Sequence, residues 1–348
     1  DDDSALNWAA LDALVDRVAA SLQQAGLQSG DVVAVCAASS VRYAAVYLGA
    51  LRAGVVVAPL APSVTPEAMA SMLGDAQARL LFADAQGTAA VPPAVMQGAG
   101  ALALDDAGAG TPWSQWLAPE GAAPQPVDVG PEHPFNIIYS SGTTGNPKGI
   151  VQSHGMRWAH LVRGLSQGYG PDSVTLLATP LYSNTTLVSF FPGLCWGGSV
   201  RLMAKFDALR YLQTAQQIRA THSMLVPVQY QRIMALPQFG EFDLSSFRAK
   251  FCTSAPFRAE LKADILARWP GALYEFYGMT EGGGTCILAA HEHPDKLHTV
   301  GQPASTSDIR LIDEEGHELP PGATGEVVGH SPGMMTGYHR QPDKTREA

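Results

Sequence analysis

Apolar residues at Trp8, Leu11, Leu14, Val15, Val18 and Leu22 recur on one face of a 3.6-residue period, so the stretch predicts an amphipathic helix closed by Gly26. A turn at Gly30-Asp31 leads into residues 32–38, a continuous apolar run of the kind a strand buried on both faces carries. Ser40 then precedes a second helical pattern that stops at Gly54, and residues 55–57 read as the next strand. Thr65-Pro66-Glu67 supplies an N-cap, a proline at the first helical position and an acidic first turn. Helix and buried strand alternating at this spacing predict a parallel sheet with helices on both faces.

Between about residues 85 and 130 the chain turns to Ala, Gly and Pro with little periodicity, which reads as a variable connection between two α/β lobes. The alternation resumes at 135–139 and continues through strands near 174–179, 199–203, 222–226 and 250–253, with a helical pattern over 208–220. From about Val300 the period shortens. Residues 308–312 alternate, Glu315-Gly316 makes a turn, and residues 325–329 alternate again, which predicts antiparallel β structure.

Composition narrows the class. The 348 residues carry 22 Lys+Arg against 32 Asp+Glu, a net charge of −10, and 46% are hydrophobic. That apolar share offsets chain entropy and excludes intrinsic disorder. The acidic balance, without a basic stripe, argues against nucleic acid or a membrane surface as partner, so an anionic ligand needs a local site. Cys36, Cys195, Cys252 and Cys286 are widely spaced with no C-x-x-C pair, which suits a reducing cytoplasm. The apolar stretch 43–51 lies between Arg42 and Arg52 and falls far short of the roughly 18 residues of a membrane span. Asp1-Asp2-Asp3 is the reverse of a signal-peptide n-region. A cytoplasmic enzyme is the expectation. The missing initiator Met, and a last segment that reads as a helix cut mid-turn, lead us to expect a chain trimmed at both ends.

The densest chemistry lies in Tyr139-Ser140-Ser141-Gly142-Thr143-Thr144-Gly145-Asn146-Pro147-Lys148-Gly149. Glycines let backbone approach an anion, successive N–H groups form a concave anion site, hydroxyls add donors, and Lys148 adds a point charge suited to phosphate. A Gly/Ser/Thr-rich surface turn is the bland alternative. The segment is not a Walker loop, because Lys148 follows Pro147 and precedes Gly149. No G-x-G-x-x-G turn suggests a dinucleotide site either.

This segment resembles the phosphate-loop signature of the acyl-adenylate-forming superfamily, which includes acyl- and aryl-CoA ligases, peptide-synthetase adenylation domains and luciferases. Further resemblances follow in order: Leu51-Arg52-Ala53-Gly54 through Pro59-Leu60, Phe276-Tyr277-Gly278-Met279-Thr280-Glu281, Val300-Gly301-Gln302-Pro303, and Gly325-Glu326 through Gly337-Tyr338. The resemblance implies an α/β fold of two αβαβα-type lobes with mostly parallel sheets plus part of a β-barrel subdomain. The divisions expected are 1–130, 131–299 and 300–348. It also implies ATP, Mg²⁺ and coenzyme A, a small-molecule carboxylic acid (fatty or aryl) as substrate, and no nucleic acid or membrane span; a homodimer stays open.

By the same resemblance Lys148, Thr280 and Glu281 are the catalytic residues, and Glu281 is the Mg²⁺ ligand. A hard cation prefers carboxylate and phosphate oxygens, which agrees. Nucleotide contacts are implied for Ser140, Ser141, Gly142, Thr143, Thr144, Gly145, Lys148, Ala255, Pro256, Phe276, Tyr277, Gly278 and Thr280. The acyl pocket falls to Tyr182, Ser183, Asn184, Val226, Gln229, Met279 and Gly282. Ser183 stands where many relatives carry His, and it lacks the charge with which amino-acid-activating relatives hold a substrate amine. Gly282-Gly283-Gly284 reads as a pocket wall left without side chains, or as a plain loop.

The chain stops soon after Tyr338, so the family's later ribose-binding Asp, the hinge and the small C-terminal domain with its lysine are expected beyond it. The function implied is an ATP-dependent carboxylic acid–CoA ligase. An adenylation domain loading a carrier protein and a non-catalytic nucleotide-binding module remain as alternatives. His291-Glu292-His293 with His298 has no metal-site spacing and carries Pro294. Gly329-His330-Ser331-Pro332-Gly333 matches a nucleophile elbow, but Pro332 has no N–H for an oxyanion, and no acid lies between Ser331 and His339.

Overall fold

The structure is a computed structural model that describes residues 1, 4–92, 100–140 and 147–348. The chain divides into two compact units. The first comprises residues 1–157, 180–184 and 335–348, and the second residues 158–179 and 185–334.

The first unit is built on β1 (Val32–Cys36), β2 (Val56–Pro59), β3 (Leu80–Ala83), β4 (Gly100–Ala103), β5 (Thr111–Pro112), β6 (Pro134–Ser140) and β7 (Lys148–Ser153). All five residues of β1 are buried, as the unbroken apolar run predicts, and β1 pairs in parallel with β2 and β3. The helices between these strands begin where the sequence supplies a cap. Asn7, Ser40 and Thr65 each accept a backbone N–H with the side chain, starting Trp8–Gln24, Val41–Arg52 and Pro66–Ala76. Val32, Ala34, Cys36, Val56, Ala58, Met69 and Leu73 form one continuous core beneath Pro66–Ala76.

Residues 85–130, read as a connection, contain the helices Ala85–Ala90 and Trp113–Trp116 and the strands β4 and β5, which extend the first sheet. Their sequence signal is weak because Gly100-Ala101-Leu102-Ala103 has little β-propensity and gains its place by pairing with β3.

The second unit holds β8 (Val174–Leu177), β9 (Ser199–Leu202), β10 (His222–Leu225), β11 (Ala249–Cys252), β12 (Ala272–Tyr277), β13 (Cys286–Ala289) and β14 (Gln302–Pro303) in the order β14-β13-β12-β11-β10-β8-β9. The five strands from β8 to β12 run parallel, and β13 and β14 add antiparallel edges. Trp269 anchors the core, meeting Tyr211, Tyr230, Phe239 and Phe247 edge-on at 5.2–6.0 Å. Then β15 (Asp308–Ile312) and β16 (Glu326–His330) form a two-stranded antiparallel sheet. That ribbon stands where part of a barrel was expected, and the described residues form no closed barrel.

The last strand, β17 (Gly337–Tyr338), returns to the first sheet beside β7, giving the order β17-β7-β6-β2-β1-β3-β4-β5. The expected junction at 130/131 therefore falls inside the first unit. Val57 of β2 pairs with Asn136 of β6, which commits the 131–153 segment to the first sheet, a long-range choice that no local pattern encodes. The expected junction at 299/300 likewise falls inside the second unit.

Candidate active site

In the first unit β6 and β7 run antiparallel, with Ser140 paired opposite Lys148. The segment between them, including Ser141, Gly142, Thr143, Thr144 and Gly145, lies outside the described residues. The strands on either side are held by named contacts. The Tyr139 hydroxyl donates to Asp75 Oδ2 at 2.7 Å, tying the end of β6 to the helix Pro66–Ala76. A Cβ at Gly149 would stand 2.9 Å from Ile137 and 3.1 Å from the Tyr139 ring, so only glycine lets β7 lie this close. Lys148 Nζ sits 5.1 Å from the centre of the Tyr338 ring. Tyr338 is brought there by β17, held by His339 N–H to the Gly149 carbonyl at 2.7 Å and Thr336 N–H to Val151 at 2.9 Å.

Tyr182, Ser183 and Asn184 also belong to the first unit. The turn before them is set by Leu181 N–H to Ser39 Oγ at 2.9 Å and Ser183 N–H to the Pro180 carbonyl at 2.9 Å. Asn184 begins a helix, and its Oδ1 accepts from the buried Arg157 guanidinium at 3.1 Å. Arg157 also donates to Gln152 and Asn136 and lies over the Phe135 ring at 5.4 Å. Sequence reasoning passed over Arg157, because a single cation inside a helical run reads as a solvated face. Burial pushes the Tyr182 phenol up, and Cys36 adds to the effect.

In the second unit the strand ends carry the remaining candidates. Phe276 of β12 stacks on Phe251 of β11 at 5.8 Å, and the chain leaves the sheet after Tyr277. Tyr277 and Met279 are 46% and 65% exposed, although the strand behind them is largely buried. Beyond them Gly278 is exposed, while Thr280 and Glu281 are partly exposed. Glu275, the preceding residue on the buried face, is paired with Lys262, whose Nζ also donates to the Thr299 carbonyl at 3.0 Å. Burial pushes the Glu275 carboxyl up and the Lys262 partner opposes it. Thr280 and Glu281 are consecutive and supply a hydroxyl and a carboxylate, the oxygen donor chemistry that a hard divalent cation takes.

At the end of β11 the backbone of Ser254 is held at φ +78°, a left-handed conformation uncommon for a residue with a side chain. The Ser254 and Thr185 hydroxyls are 2.6 Å apart, and Thr253 Oγ1 donates to the Phe276 carbonyl at 2.8 Å. The kink leaves the small side chains of Ala255 and Pro256 exposed. Nothing in the sequence announces this strain, since Ser-Ala-Pro is an ordinary loop start.

Gln229 is buried, with its Oε1 accepting from Val226 N–H at 3.1 Å and its Nε2 donating to the Ala178 carbonyl at 3.0 Å. Both ends of its amide hold backbone, fixing the turn at Val226. The Gly282-Gly283-Gly284 run has a packing cause. A Cβ at Gly282 would meet the Gly333 carbonyl at 1.8 Å, and one at Gly284 would meet Ile309 at 2.5 Å. Glycine lets this loop lie against residues 329–334, and the Ser331 hydroxyl there accepts from Gly333 N–H at 3.2 Å. Among the histidines read against a metal site, His291 lies with Nδ1 3.2 Å from the Leu273 carbonyl and meets Tyr274 edge-on. All four cysteines are free, and no described helix is long and apolar enough to cross a membrane.

Residues 1–339 match the AMP-binding enzyme family. A feruloyl-CoA synthase of Amycolatopsis sp is 32% identical over 347 residues, 99% of this chain and 68% of the relative. A fatty acid–[acyl-carrier-protein] ligase, ScoC, of Streptomyces coeruleorubidus is 30% identical over 357 residues, covering 95% of this chain and 65% of the relative. Among solved structures, the amide bond synthetase McbA from Marinactinospora thermotolerans superposes with a TM-score of 0.90 at 28% identity, covering 99% of this chain and 70% of that one. The chain thus spans about two thirds of the length of these proteins. By the extent of the match and the order of its motifs, this chain belongs to the AMP-binding enzyme family.

Proposed function

We propose that the protein is an ATP-dependent carboxylic acid–CoA ligase. A carboxylate oxygen attacks the α-phosphorus of ATP and pyrophosphate leaves, giving an acyl-adenylate. The thiolate of coenzyme A then attacks the acyl carbonyl and AMP leaves. The observation that carries this reading is the exposure of Tyr277 and Met279 at the carboxyl end of a parallel-sheet strand, directly before Thr280-Glu281. The ends of parallel strands are where open α/β sheets bind ligands. A flat aromatic and a thioether left in solvent at such a place are suited to a base and an acyl group.

In this reading Lys148, with Ser140, Ser141, Gly142, Thr143, Thr144 and Gly145, neutralises the outer phosphates. Thr280 donates at the α-phosphate. Donors placed where charge develops are the largest expected contribution to rate. Glu281 would hold Mg²⁺, which supplies charge neutralisation at the phosphates when bound. Tyr277, Ala255 and Pro256 would flank the adenine, with Phe276 and Gly278 setting their backbone. Tyr182, Ser183, Asn184, Val226, Gln229, Met279 and Gly282 would bound the acid. Fatty and aryl acids both suit these residues, and a cytoplasmic setting suits the four free thiols.

A second reading, transfer to a carrier-protein thiol, is favoured by the similarity to the carrier-protein ligase. The test is pyrophosphate–ATP exchange by the full-length protein against fatty acids, benzoates, cinnamates and amino acids, followed by product analysis with coenzyme A or a phosphopantetheinyl carrier as acceptor. Acyl-CoA as product supports the ligase. Acyl-carrier as sole product moves the assignment to the second reading, and no exchange with any acid overturns both.

A further inference from the structure

Arg157 lies in the first turn of the helix His154–Ser166 and is 1% exposed. Its charge sits where both burial and the helix dipole oppose a cation. Three amide oxygens face it. Its Nη2 donates to Gln152 Oε1 and to Asn184 Oδ1 at 3.1 Å, and Asn136 Oδ1 lies 3.5 Å away. A guanidinium carries donors only, so each carboxamide must turn its oxygen towards it. Asn136 does so although its own buried Nδ2 is left without a hydrogen-bond partner among the described residues. The Phe135 ring, centred 5.4 Å from the guanidinium carbon, supports the group from one side.

Asn184 differs from the other two amides. Asn136 and Gln152 are fully buried, whereas Asn184 is partly exposed and its Nδ2 makes no hydrogen bond among the described residues. It follows Tyr182 and Ser183 and begins the helix Asn184–Cys195, all three residues lying in the first unit with Arg157. With Oδ1 committed to Arg157, Nδ2 is the atom left to offer, and it can only donate. We propose that Arg157 is a positioning residue for the acid substrate: it locks the Asn184 carboxamide with its oxygen inward, so that Nδ2 donates to a carboxylate oxygen of the bound acid. The motifs do not include Arg157. This rests on the acid-activating reading above, in which Asn184 bounds the acid.

Equilibrium dialysis of the full-length protein with radiolabelled octanoate, benzoate and cinnamate reads acid binding without turnover. ATP binding, pyrophosphate–ATP exchange and the thermal midpoint are followed in parallel. Asn184→Asp keeps an oxygen for Arg157 and removes the donor. Whichever probe acid binds the wild type should then bind about tenfold more weakly, the size of a lost hydrogen bond to a charged group. Arg157→Met keeps an apolar stem on Phe135 and frees the amide to turn. With nitrogen offered in about a third of the molecules, acid binding weakens about threefold. Arg157→Lys, which keeps a donor, should recover part of that loss, and ATP binding should hold in every variant. In an Asn184→Ala background Arg157→Met should add nothing, because the amide it orients is gone. Wild-type acid affinity in Asn184→Asp or in Arg157→Met overturns the proposal. So does a loss from Arg157→Met that persists in the Asn184→Ala background, ATP binding that falls in step with acid binding, or no binding of any probe acid by the wild type. Asn184→Asp, which leaves Arg157 in place, decides if Arg157→Met does not fold. Acid binding without exchange in the wild type overturns the ligase reading instead, and the affinities still judge Arg157.

Discussion

At the scale of single residues, the candidate site separates groups that motifs reveal from groups that only packing reveals. Lys148 and Glu281 stand in recognisable strings. Replacing either with Ala should lower kcat/KM for ATP by about a hundredfold, the size of losing one preorganised charge-stabilising group. Circular dichroism and thermal midpoint should stay near wild type, since both side chains retain solvent contact. Unchanged adenylation in both variants contradicts their assignment. Arg157 and the strained Ser254 were not legible in the same way. One is a lone cation in a helical pattern and the other a serine in a common loop, and each acquires meaning only from partners distant in sequence, Asn184 and Thr185.

His222 gives the residue scale a pH signature. It is fully buried, with Nε2 3.1 Å from the Gln167 carbonyl and Nδ1 2.7 Å from the Thr221 hydroxyl. The carbonyl can only accept, so Nε2 carries the proton and Nδ1 accepts from Thr221. Burial pushes its pKa down from 6.5 to about 4. Between those values the unfolded chain binds a proton that the folded one refuses, so stability falls as pH drops from about 6.5 towards 4. The loss is about 3 kcal/mol at most for this group. Urea midpoints of His222→Gln should show a shallower decline over that window than wild type. An identical slope would mean that His222 does not titrate as the burial requires.

At the scale of elements, the alternation of helix and buried strand was readable because parallel strands covered on both faces are largely apolar, as all of β1 is. Caps at Ser40 and Thr65 were readable because their chemistry is local. Less visible were β4 and β5, and the membership of β6 in the first sheet, since these places depend on which strand each meets. The three glycines after Glu281 show the same limit. Their sequence suggested clearance for a ligand, and their cause is the Gly333 carbonyl and Ile309. Gly282→Ala should therefore destabilise the second unit. It combines a left-handed φ of +82° with a contact that backbone cannot yield, and a loss above about 2 kcal/mol is expected. Chemical denaturation checks this: a wild-type midpoint would show that the loop stands off residues 329–334.

At the scale of the whole molecule, the chain holds two parallel-rich sheets. Lys148 lies at the start of β7 in the first unit, and Thr280 and Glu281 lie beyond β12 in the second. The fold class was legible from periodicity. The unit boundaries were not, because the chain returns to the first sheet through β17 and 180–184, pairings that sequence order hides. Membership of the AMP-binding family and the exposed Tyr277-Gly278-Met279 lip converge on one chemical claim, activation of a carboxylic acid as its adenylate. Pyrophosphate–ATP exchange by the full-length protein tests that claim most directly. Exchange that depends on one class of carboxylic acid is the predicted result; ATP binding without exchange for any acid tested would contradict it.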